Sequence, residues 1–427
     1  FLLNIVMAPI RLSAPSSAVK VLVYLLPALL LFSRAIADIT VVLVAFTFLF
    51  ISYKNQYWPW LKQSWFVAFL VFNAYLILLN LPQSSEPSES LKYVLTFIRW
   101  PLFAMALTYW IFDNSDIRRH FIISLSIITT FVVADTLWQY LFGVDWFGIE
   151  RFTETRLTGP FRSPIPGTML LRLWFIVLFI ACLVPWFKYT TVRQITSLMT
   201  IMSVGFVFTY LTGERMALIL YCAGAAVVFI TMLFTYRDYQ RRLLSMVVIF
   251  VLSLGMIILI SPDMLERSIM SIGTKLSSFA ESDYGLVFKA GWQVWQDNWW
   301  FGSGLHTYQS VCEQQQLLAS TGMVCSHPHN LYLQLGAETG VVGLVLFLIM
   351  LCLLYKQVLL PCIKAKNGLQ TALCFALLTV SFWPLSGGIS VLSNWVAALV
   401  WLGVGWALAV SRASAVTPHE HLSHTNH

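Results

Sequence analysis

Two histidines bracketing a proline, in Cys325-Ser326-His327-Pro328-His329-Asn330, stand immediately before an apolar run. A neutral imidazole at such a place can accept the proton of an incoming hydroxyl, whereas two histidines supply too few ligands for a metal site. The proline disfavours helix at His327 and suits a helix start near His329. From there Asn330, Gln334 and Glu338 recur every four residues as one polar stripe. A membrane helix keeps such a stripe only where it faces a cavity or partner helices.

Arginines form the second group. Arg215 closes Thr212-Gly213-Glu214-Arg215 at the boundary between two apolar runs, where Gly213 permits a break that aims the next side chain into a cavity. A salt bridge to Glu214 or snorkelling to headgroups is the other reading. Arg151, Arg156, Arg162 and Arg172 bracket an earlier loop, and Arg267, Lys275 and Lys289 lie in a later one. Together they make a positive field suited to a phosphate-bearing substrate, because a guanidinium holds two phosphate oxygens and keeps its charge. Arg99 and Arg172 lie inside apolar runs and suit helix packing as well as substrate contact. Cys312 and Cys325 are the only two of seven cysteines in the later loop. They are either a disulfide closing the segment before His327 or two free thiols.

The elements that must position these residues follow from composition. The chain has 427 residues, of which 58% are hydrophobic and only 11% charged, and its mean hydropathy is +0.76. A water-facing surface needs about 25% charge, so this reads as an all-α polytopic membrane protein. A formal charge of +7 reflects loop bias rather than nucleic acid. Apolar runs give about 12 spans, near 19–34, 36–53, 64–81, 91–112, 120–142, 167–187, 194–212, 216–236, 243–261, 331–355, 368–384 and 389–410. The first residues show no signal peptide with a small-residue cleavage site.

Alternate loops, from Arg11, Lys20 and Lys54 through Arg237, Arg241 and Arg242 to Lys364, Lys366 and Arg412, carry the basic excess and are expected to be cytoplasmic, with both termini. Residues 1–427 then form a single membrane domain with two outer loops, 143–166 and the large 261–330 between spans nine and ten. The large loop is expected to be a small helical cap: an amphipathic stretch, Pro262 to Phe279, then a helix-like run, Gly285 to Trp300, whose Trp292, Trp295, Trp299 and Trp300 anchor it at the interface. Residues 411–427, with His419, His421, His424 and His427, read as a disordered cytoplasmic tail rather than a metal site.

The element His329-Asn330-Leu331-Tyr332-Leu333-Gln334, followed by Glu338-Thr339-Gly340-Val341-Val342-Gly343, resembles the signature of the O-antigen ligase and polymerase superfamily. Asp297-Asn298-Trp299-Trp300-Phe301-Gly302-Ser303-Gly304 is similar to a second element of that family, with Trp299 where a proline is usual. Arg156-Leu157-Thr158-Gly159-Pro160-Phe161 and the Arg215 turn resemble two more.

The resemblance implies a GT-C-like glycosyltransferase of the bacterial inner membrane with a periplasmic active site. It would act on undecaprenyl-pyrophosphate-linked O-antigen and lipid A core oligosaccharide among membrane lipids, without metal or nucleotide sugar. It implies His329 and Arg215 as catalytic residues. Arg156, Arg162, Lys289, Arg267, His327, Asn330 and Glu338 are expected to bind substrate, and the family's second loop cation falls to Lys289 or Arg267. Alternatives are an O-antigen polymerase, a protein O-oligosaccharyltransferase or, from another class, a transporter of an anionic lipid.

Overall fold

The computed structural model describes residues 12–183, 190–260, 262–270, 273, 277–385 and 387–416. It is 77% helix, and among the described residues extended backbone is limited to isolated bridges such as Val144 with Glu150. Hydrocarbon offers no partner for backbone amides, so a chain this apolar satisfies them within helices.

Nine helices among the described residues are long and apolar enough to cross a membrane: Arg34–Lys54, Ser64–Gln83, Pro87–Ile111, Ser115–Phe142, Pro166–Leu183, Thr191–Leu211, Arg215–Thr235, Leu331–Lys364 and Asn394–Ala415. The expected count of about 12 is therefore met only in part. Ser17–Phe32 and Gly368–Ser381 are apolar but shorter, below the roughly 20 residues a straight span uses. The ninth expected span falls on the helix Gln240–Ile260. The last helix starts at Asn394 rather than near 389 because Ile389–Ser393 is a loop, and it continues to Val416. The expected tail is thus helical in its first residues; His419, His421, His424 and His427, like Arg11 and Lys275, lie outside the described residues.

The helix that follows the histidines is not continuous. Gly340 adopts φ 66° and ψ −177° in its middle, a region essentially reserved for glycine. The helical ladder broken there is replaced by the stretch 299–304: Ser303 and Gly304 donate to the Ala337 and Glu338 carbonyls at 2.9 Å each, and Val341 donates to the Trp299 carbonyl at 2.9 Å. Asn80 donates to the Phe301 and Glu338 carbonyls at 2.6 and 2.9 Å, and Tyr75 to the Thr339 carbonyl at 2.6 Å. Two sequence elements about 40 residues apart are therefore one hydrogen-bonded unit. A Cβ at Gly340 would run into the Trp300 carbonyl. Gly340→Ala is expected to destabilise by at least ~2 kcal/mol from backbone strain and that clash. Thermal unfolding in detergent checks this, with Gly255→Ala, a helical position that meets open space, not lowering Tm.

The large loop contains the helix Asp283–Asp297, capped by Ser282, whose Oγ accepts from Gly285 at 3.2 Å. Val287, Ala290 and Val294 of this helix join Tyr308, Val311, Cys312, Leu318 and Cys325 in a small core of their own. Trp295 packs flat against Gly336, where any side chain would collide with the indole, and it stacks on Trp299 at 5.2 Å. Trp300 is the most exposed of the four tryptophans, at 64%.

Candidate active site

Three arginines distant in sequence meet around one cavity. The turn after Thr191–Leu211 brings Gly213 to φ 69°, and Arg215 then starts the next helix. The loop 143–165 is pinned to this turn, since Leu157 donates to the Thr212 carbonyl at 3.2 Å. Gln139, buried in the preceding helix, holds the same loop by accepting from the Thr158 and Gly159 amides at 2.9 Å each and donating to Thr158 Oγ1 at 2.7 Å. Arg156 is thereby set beside Arg215. Arg215 Nε donates to the Arg267 carbonyl at 3.0 Å, and Arg267 Nε donates to the Gly213 carbonyl at 3.2 Å. Arg156, Arg215 and Arg267 line a cavity of about 130 Å³ together with Thr168, Glu214, Tyr284, Gly387 and Gly388.

The carboxylate in this cavity does not neutralise Arg215. Glu214 accepts from the Gly167 and Thr168 amides at 2.6 and 3.1 Å and from Thr168 Oγ1 at 2.5 Å, capping the helix that begins at Pro166. Burial lifts its carboxyl to about 7, against the pull of those hydrogen bonds and of Arg156. The salt bridge that Glu214 offered in the sequence is replaced by this cap. Burial lowers Arg267, and the neighbouring Arg215 and Arg156 lower it further. The Arg156 Nε is buried with no hydrogen-bond partner. Clustered guanidinium groups repel one another, and an anion between them relieves the repulsion.

The histidines contact two residues of that cavity's lining. His327 Nε2 stands 2.9 Å from the Gly387 carbonyl and 3.0 Å from His329 Nδ1. A carbonyl only accepts, so His327 carries its proton on Nε2. Burial, then the adjacent His329, press His327 down to about 4, and burial also holds His329 below its ordinary value. Both rings are neutral at pH 7. The Tyr284 ring lies 5.5 Å from that of His329, and Tyr284 and Gly387 both line the arginine cavity. His329 itself has φ 53°, a left-handed conformation uncommon outside glycine.

The remaining candidates have other places. Asn330 caps its own helix, accepting from the Tyr332 and Leu333 amides at 3.0 Å each. Glu338 is buried, accepting from the His306 amide at 2.9 Å and Gln334 Nε2 at 3.0 Å, while Gln334 Oε1 accepts from Ser390 at 2.7 Å. The polar stripe therefore bolts the helix to two loops instead of facing the cavity. Arg162 and Lys289 are exposed and do not line it. Lys289 sits on the face of its helix opposite the buried Val287, Ala290 and Val294. Of the two loop cations offered by the sequence, Arg267 is the one at the cavity. Arg99 pairs with Asp38 at 3.2 Å, and Arg172 is buried at 4% exposure. Tyr284, Thr168 and the Gly387–Gly388 loop went unread in the sequence; the glycine pair between two apolar runs was the one available signal.

Cys312 and Cys325 form a disulfide with Cα atoms 5.8 Å apart, two residues before His327. Replacing both by Ser is expected to cost about 3 kcal/mol from the loop it closes. Limited proteolysis should then cut between residues 312 and 325 in the variant before it cuts the oxidised protein.

Among curated proteins no match is found. Residues 198–348, which run from the helix before the Arg215 turn through the histidines to the far side of the Gly340 break, match the family model described as O-antigen ligase, which supports membership of the O-antigen ligase and polymerase superfamily.

Proposed function

We propose that this cavity transfers O-antigen from undecaprenyl pyrophosphate to a sugar hydroxyl of the lipid A core oligosaccharide, at the periplasmic face of the bacterial inner membrane. The observation that carries the reading is the convergence of Arg156, Arg215 and Arg267 on a cavity whose Tyr284 and Gly387 also contact the histidine pair. Arginines suit the diphosphate and the neutral imidazole suits the acceptor. The donor's anomeric carbon already bears a good leaving group. The acceptor oxygen forms a bond to that carbon as the bond to the diphosphate oxygen breaks, with inversion. The hydroxyl proton passes to the neutral His329 imidazole while the Gly387 carbonyl keeps the His327 N–H. Arg215, with Arg156 and Arg267, stabilises the charge gathering on the departing diphosphate.

Purified protein mixed with lipid-linked O-antigen and lipid A core tests this by product mass. A covalent glycan–lipid A core product supports ligation. Product formed only on a second lipid-linked glycan, or on protein hydroxyls, assigns the polymerase or protein-directed reaction, which share the donor and differ in acceptor. Movement of the donor lipid across vesicles without bond formation assigns transport and removes the need for His329.

A further inference from the structure

Transfer between two lipid-borne substrates, the reading this inference rests on, needs a second binding place within reach of His329. The loop that supplies Gly387 and Gly388 to the arginine cavity goes on to form one wall of another. Ile389, Ser393, Asn394 and Trp395 line a cavity of about 480 Å³ with Arg34, Asp38 and Trp100. That volume lies in the range of small-ligand sites.

Its few polar groups gather at the mouth of a membrane hairpin. Arg34 begins the helix Arg34–Lys54, and its guanidinium lies 3.5 Å above the centre of the Trp395 ring. Trp395 is fixed in turn by donating from Nε1 to the Leu30 carbonyl at 2.5 Å. Arg99, 12% exposed, meets Asp38 at 3.2 Å. Ser393 Oγ is buried without a hydrogen-bond partner, and so is Arg99 Nε. A packed interior seldom leaves such groups unsatisfied, whereas a site awaiting hydroxyls and an anion does. Arg99, from beside the cavity, engages the Asp38 carboxylate of the lining, so the Arg34 charge is left to meet an anion. On the next turns Ile36 and Ile39 are 50% and 57% exposed, an apolar surface leading from the cavity toward lipid.

We propose that this second cavity binds the phosphorylated sugar headgroup of the acceptor glycolipid. Arg34 takes a phosphate, Asp38, Ser393 and Asn394 take sugar hydroxyls, and the acyl chains lie along Ile36 and Ile39. The headgroup is then held one loop away from the diphosphate of the donor, and the core sugars reach across that loop to His329.

The test uses the purified full chain in nanodiscs and varies lipid A core, either phosphorylated or dephosphorylated, at saturating donor. Arg34→Ala is expected to raise KM for the phosphorylated acceptor about tenfold, to leave donor KM unchanged, and to match the wild type on dephosphorylated acceptor. An unchanged acceptor KM, or a rise in donor KM, overturns the assignment. Arg34→Lys, which keeps the charge and loses the fork, takes the place of the alanine variant if that variant does not fold, and is expected to raise the acceptor KM by a smaller factor. If the wild type forms no product, the transfer reading fails, and the cavity is then read by equilibrium binding of labelled lipid A core. Binding weakened by the Arg34 change keeps the cavity assignment, while binding unaffected by it, or displaced equally by phosphatidylglycerol, removes it.

Discussion

Arg215→Ala is expected to lower kcat for glycan transfer by about 10²- to 10³-fold, the loss of roughly 3 kcal/mol or more typical of removing one preorganised donor from a developing oxyanion. Several features of the cavity place this residue above its neighbours. Its Nε is held by the Arg267 carbonyl, so the guanidinium needs no reorganisation at the moment of reaction. The carboxylate that lines the cavity, Glu214, is engaged with Gly167 and Thr168. Arg215→Lys should recover only part of the rate, since an ammonium keeps the charge without the planar fork. Single-turnover transfer at saturating donor checks both, and near-normal rates at matched protein levels would remove Arg215 from the mechanism.

The second large effect is expected at His329. His329→Ala should reduce kcat/KM by 10²- to 10⁴-fold, the usual worth of a positioned general base, while leaving donor binding close to the wild type. The pH dependence has a fixed sign. The active form of the base is neutral, and burial holds its pKa below the ordinary histidine value. The part of the rate that depends on His329 should therefore fall as pH drops through that depressed value, below the ~6.5 of a free imidazole, separately from the titration of Glu214 at about 7 in the same cavity. A pH–rate profile with no acid limb of this kind, or one retained in His329→Ala, contradicts the assignment.

Sequence patterning was most informative where a residue type is costly in its setting. Apolar runs read as helices because a lipid-facing backbone has no alternative, and arginines at their ends stood out because charge there needs a reason. Periodicity gave less. The spacing of Gln334 and Glu338 implied one face, while Asn330 caps the helix instead; spacing carries no information on what that face meets, and it meets the His306 and Ser390 loops. Tyr284 escaped notice because a tyrosine near a membrane surface is unremarkable until folding brings it to 5.5 Å from His329. The break at Gly340 was hidden for another reason: Thr339 and Val341 on either side are compatible with helix, and only the strand-like pairing with 299–304 requires the interruption.

The exchange of hydrogen bonds between Arg215, Arg267 and Gly213 has a bearing on how mutational data from this region combine. Each arginine is steadied by a backbone oxygen on the other's segment, so losing either loosens the mount of its fellow. The two positions behave thermodynamically as one unit. Single-site scans will assign much of the same deficit to both, and the double variant should be far less impaired than the product of the two separate losses.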